Sequence, residues 1–183
     1  ERGDVPEDVT HVRIDSSVRA IQNRAFFKRS QLRIVILNKE LEEIGANAFQ
    51  YCESLEEIVI PNNVRAIGRS AFYDCTGLTR VTLGSGLERI GAKAFWYCES
   101  MEEIVIPNAV KVIKKYAFHG CSELSPVTLC DGLEEIGEEA FEYCTSLRGI
   151  VIPNAVKRIE RGAFSSCTGM MNVILGEGLE EIG

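Results

Sequence analysis

Seven cysteines are the first residues to weigh for chemistry. Six recur every 23 positions, at Cys52, Cys75, Cys98, Cys121, Cys144 and Cys167, while Cys130 stands apart at a turn. Rungs of a stacked ribbon lie about 4.8 Å apart, within the Cα spacing a disulfide tolerates. Six parallel inward thiols would have to distort the stack to bridge, so free buried thiols acting as small apolar side chains are the expectation. A metal site needs His beside Cys, or a C-x2-C pair, and this row has neither. Cys130 is expected to be the exposed thiol.

The remaining candidates are sparse. The two histidines, His11 and His119, have no Ser or Cys nucleophile partner in a local motif, and no glycine-rich phosphate loop occurs, so no enzyme is expected. The acidic group Glu134, Glu135, Glu138, Glu139 and Glu142 lacks calcium-loop spacing and sits between basic stretches, which reads as a neutralised, solvated face. No metal and no cofactor are expected. Arg2-Gly3-Asp4 spells an integrin-type tripeptide, a triplet short enough to arise by chance.

Rings are the better lead. Tyr51, Tyr97 and Tyr143 recur every 46 residues, and Phe27, Tyr73, Trp96 and His119 fill a row beside them. Tyr and Trp that reach solvent are typical anchors of protein interfaces, whereas rings packed on one another only shield the core. A rival surface is the outward side of the expected strands: Val59, Thr82, Val105, Thr128, Val151 and Ile174. A β-branched stripe with few charges marks an interaction surface, and this face is favoured slightly over the aromatic rows.

These side chains are positioned by a repeat. Phe recurs at 26, 49, 72, 95, 118, 141 and 164, always preceded by Ala, and further rows of Ile, Val or Leu keep the same period of 23. Ile58 and Ile60 are two apart, the spacing of one strand face. Pro61-Asn62-Asn63 then turns the chain, and Val64 to Ile67 forms a second extended piece. Phe72 and Cys75 are three apart, which predicts a short helical or 3-10 turn. One such unit cannot bury its own apolar side, so the units must stack into one continuous core. A longer period of 46 overlies the first: Pro-Asn turns at 61, 107 and 153 alternate with turns carrying Gly86, Gly132 and Gly178. One charged row alternates in sign from Arg19 and Glu42 through to Lys157 and Glu180. Each exposed pair it forms is worth about 0.2–1 kcal/mol, and its main effect is on register.

The run Ile-Gly-x-x-Ala-Phe-x-x-Cys-x-x-Leu-x-x-Ile-x-Ile-Pro-x-x-Val, from Ile44 to Val64 and repeated towards the C-terminus, resembles the BspA-type leucine-rich repeat family. The resemblance implies an elongated solenoid used for adhesion or partner binding, with no shared catalytic residues, at a cell surface or outside the cell; an intracellular place is left open. Arg29 departs from the pattern by replacing the first Cys, and Lys114 and Glu160 by replacing Gly.

The expectation is therefore an α/β leucine-rich-repeat solenoid of about eight rungs, each with one short parallel strand face and a short helical or 3-10 turn. It forms a single domain over 1–183, with residues 1–10 a remnant or cap and 11–183 the repeats, cut mid-repeat at the C-terminus. The 183 residues are 45% hydrophobic and 26% charged, ordinary for a folded domain. A net charge of −7 weighs against nucleic acid, and no apolar run is long enough for direct membrane insertion. The expected role is recognition of a protein partner. The alternatives are a structural spacer or assembly scaffold, with end-to-end self-association through an apolar end, and a targeting arm of a larger protein.

Overall fold

A computed structural model describes residues 5–183, so the Arg2-Gly3-Asp4 tripeptide lies outside the described residues. The chain winds as a parallel β-solenoid of about seven complete turns. Two ladders of very short strands run along it, and every pairing is offset by one repeat, as in Val12↔Val35 and Ile58↔Val81. The first ladder runs from His11–Arg13 to Asn172–Ile174. It is interrupted, forming one four-stranded and two two-stranded sheets. Pro126 stands where Arg80 donates its N–H to the Glu56 carbonyl; proline has none to give, and the strand there shortens to Val127–Thr128. The second ladder, from Ala20–Ile21 to Glu181–Ile182, is continuous over eight strands. The second extended piece of each repeat thus forms a ladder of its own, beyond the single strand face expected.

The third side corrects the sequence reading: among the described residues there is no helix. The segment from Gly45 to Cys52 is a run of β-turns. Ala48, Gln50 and Cys52 donate their N–H groups three residues back, to Gly45, Asn47 and Phe49. The residues between them, Asn47, Phe49 and Tyr51, donate instead to Arg69, Ala71 and Tyr73 of the next rung, at 2.7 to 2.9 Å. Asn47 and Tyr51 have positive φ, 58° and 63°, as the third residue of a type II turn requires. The same pair of left-handed positions, four apart, recurs in all seven turn segments, and only Gly120 and Gly162 fill them with glycine. Left-handed backbone costs a non-glycine residue about 1–2 kcal/mol. The bonds from these residues' own N–H groups to the next rung hold it in place. A spacing of three between Phe and Cys is common to a helical turn and a β-turn, which is why it misled.

Inside, like residues form columns. The Phe rings from Phe26 to Phe164 stack with centroids 5.0 to 5.5 Å apart and planes within 6° of parallel. Phe49, Phe72, Phe95, Phe118 and Phe141 are fully buried. Each column thiol donates to the Phe carbonyl of the preceding rung, from Cys52 to Phe26 through Cys167 to Phe141, at 3.0 to 3.3 Å. All seven cysteines are free, as expected, and Cys130 is half-buried. Burial pushes the Cys52 thiol up to about 12 and Cys75 and Cys98 well above the ordinary range, so these thiols stay protonated. Arg29, in the Cys position of the first rung, donates instead to the carbonyls of Val5 and Phe27.

The 46-residue period has a steric cause. A Cβ on Gly86, Gly132 or Gly178 would collide with the backbone carbonyl of Asn62, Asn108 or Asn154 one rung earlier. The wide Pro-Asn turn needs a glycine beneath it, so the two turn types alternate.

Candidate binding surfaces

Alternation in the first ladder turns Ile58, Val81, Ile104 and Val127 into the core and their neighbours outward. Val59, Val105 and Val151 are 51 to 59% exposed, and Thr82 and Thr128 between them are exposed as well. Pairing at one-repeat offset places Val59 beside Thr82, Val105 beside Thr128 and Val151 beside the exposed Ile174, so the six sequence candidates lie along one outward row. Ile34 and Ile36, exposed at 43% and 48%, extend the apolar surface towards the N-terminus. They were missed in the sequence, although Ile36 lies 23 positions before Val59 and the register itself pointed to it. A groove of about 520 Å³ opens here, with Ile34, Ile36, Val59 and Pro61 on its walls and Arg33 and Lys39 at its rim. Two of the flanking arginines are paired, Arg33 with Glu56 at 2.6 Å and Arg80 with Glu57 at 2.8 Å, and an apolar strip lies between these pairs.

The alternating charged row closes only in part. Arg65 meets Glu88 at 2.6 Å and Lys111 meets Glu134 at 3.3 Å, whereas Arg19 turns to Glu40.

On the turn side the aromatic candidates largely cover one another. Phe27, Tyr51, Tyr73 and Trp96 are half-buried, and His119 is only 6% exposed. Tyr51 packs edge-on against Phe27 and Tyr73, Tyr73 meets Trp96 at 5.5 Å, and Trp96 meets His119 at 4.8 Å. Only Tyr97 and Tyr143 reach solvent substantially, at 39% and 49%. At one intervening rung the fit is tight: a Cβ on Gly120 would strike the Tyr97 ring of the preceding rung. The rungs between the tyrosines carry Asp74, Gly120 and Ser166 at that position, each smaller than the ring above it. Lys93 lies over the Trp96 ring, its Nζ 3.9 Å from the centroid. Burial lowers its affinity for a proton, helped by Arg69 and Lys115 nearby.

Stacked parallel ladders, an interior of aliphatic, Phe and Cys columns, and one turn-rich side define a solenoid repeat protein. Residues 6–103 and 88–183 both match the model of the BspA type leucine rich repeat region, and the chain belongs to that family. Among solved structures, a leucine-rich repeat protein of T. pallidum, TpLRR, is 34% identical, with 75% of this chain and 64% of that one covered and a TM-score of 0.70. This chain therefore spans less than two thirds of that protein. A leucine-rich repeat protein from Bacteroides ovatus is 23% identical over 96% of this chain and 75% of its own, with a TM-score of 0.41. The pneumococcal vaccine antigen PcpA is 24% identical over 95% of this chain and 58% of its own, with a TM-score of 0.47. No curated protein matches the chain.

Proposed function

We propose that this chain is a non-catalytic recognition module that binds a protein partner through its strand face. The observation that carries the reading is the outward row Val59, Thr82, Val105, Thr128 and Val151, exposed at every position and continuous with the apolar groove at Ile34 and Ile36. Soluble monomers seldom leave such a strip uncovered. The aromatic rows are the weaker surface because their rings already satisfy one another. Adhesion at a cell surface, implied by the family resemblance, is the form of recognition we favour.

The test is surface plasmon resonance of the chain against a panel of matrix and cell-surface proteins. Val105→Glu, with an unchanged far-UV spectrum, should abolish the binding found with the wild type, and Trp96→Ala should leave it intact. The reverse pattern would move the site to the turn side, and undiminished binding by Val105→Glu would remove the strand face from consideration.

A further inference from the structure

We propose that His119, Glu139 and Glu142 form a binding site for a divalent transition metal of the Zn2+ type on the turn side of the solenoid. It is independent of the strand-face reading above. The sequence separates these residues into an aromatic row and an acidic group; the register unites them. His119 and Glu142 are one repeat apart, in the column that runs through Tyr73 and Trp96 to Ser165. Stacking brings His119 Nδ1 to 3.2 Å from Glu142 Oε2. Glu139, at a left-handed position with φ of 52°, completes the group, and one ligand atom from each of the three lies within 4.8 Å of the others.

Two observations point to a cation-binding role. His119 is 94% buried, yet its Nδ1 has no hydrogen-bond partner: the Glu142 oxygen is close but not aligned with the ring nitrogen. Buried polar nitrogens are seldom left in that state. In addition, two carboxylates face each other beside it. A divalent ion would neutralise both carboxylates and take the imidazole lone pair at once.

The donor set selects the metal class. One imidazole and two carboxylates suit tetrahedral Zn2+ with water in a fourth position, and fall short of the six to eight oxygens Ca2+ takes. Zn–N and Zn–O bonds near 2.1 Å put tetrahedral ligand atoms about 3.4 Å apart, close to the His119–Glu142 separation. One basic neighbour, Arg161, reaches the edge of the site. Lys115 and Arg161 both pair with Glu138, at 2.6 and 2.7 Å, and Arg161 approaches Glu139 only to 3.8 Å. Lys93 is engaged over the Trp96 ring. Trp96, and Tyr143 with its centroid 5.4 Å from that of His119, wall the imidazole on two sides.

Trp96 is the sole tryptophan and reports on the site directly. The intact chain, stripped with chelator and carrying Cys130→Ser to remove the half-buried thiol, is titrated with ZnCl2 by calorimetry and Trp96 fluorescence. The expected result is one equivalent bound with a change in Trp96 emission. Glu142→Gln, nearly isosteric, should weaken binding at least about tenfold, and His119→Phe, which keeps the ring packing, should abolish it. Should His119→Phe fail to fold, Glu142→Gln with an unchanged far-UV spectrum decides alone. Titration with Co2+ should give a spectrum free of thiolate-to-metal charge transfer. Absence of saturable binding, wild-type affinity in Glu142→Gln, or a thiolate band in the Co2+ spectrum would each overturn the proposal.

Discussion

The strand face and the turn side are built by the same 23-residue repeat, yet they spend their side chains in opposite ways. On the strand face, alternation sends every second residue to water, and Val59, Val105 and Val151 lie open in a row. On the turn side, left-handed residues fold the chain back every four positions, and the rings on and beside them close over one another from Phe27 to Tyr143. Apolar character therefore means different things on the two sides. A valine on the strand face is available surface; a ring on the turn side is mostly covering. The sequence reading ranks the strand face slightly ahead of the aromatic rows; in the structure the rings differ from the valines in being covered by one another.

The difference can be broken by mutation. Phe95, stacked between Phe72 and Phe118, should cost about 3–5 kcal/mol when replaced by alanine, whereas Val105→Ala on the strand face should stay within about 0.5 kcal/mol. Chemical denaturation of the two variants measures both; comparable losses would mean that the strand face is packed against something.

Asp74 gives a smaller effect whose sign separates turn from helix. Its φ is 58°, so Asp74→Gly should stabilise the protein by about 0.5–1 kcal/mol, the left-handed penalty less glycine's added entropy in the unfolded chain. In a helix the same substitution would destabilise by a similar amount. A pH series sharpens this. Burial, then Glu53 and Glu99, hold the Asp74 carboxyl above its ordinary value of 3.8. The folded state thus keeps the proton more tightly than the unfolded chain, and the Asp74 carboxylate weakens the fold increasingly as pH rises from 3.8 through the folded value. The gain from Asp74→Gly should accordingly be larger at pH 7 than at pH 3.5.

Most of the interior was legible because stacking turns a period into a column. The Phe, Cys and Ile rows and the inward and outward faces of the strands follow from residue type and register. Two things were hidden. Nothing in the side chains of Lys93, Tyr116 or Glu139 signals positive φ; that conformation is imposed by hydrogen bonds to the next rung, each at 3.0 Å. The meeting of His119 with Glu142 was present in the register, but reading charge along the chain placed them in different groups.

The central claim is that like side chains stack rung upon rung. It is tested most directly by nuclear Overhauser contacts between selectively labelled phenylalanine rings, assigned by substitution. The account requires Phe95 to show contacts to both Phe72 and Phe118, 23 residues away on either side. Contacts from Phe95 only to residues three or four positions away would contradict it.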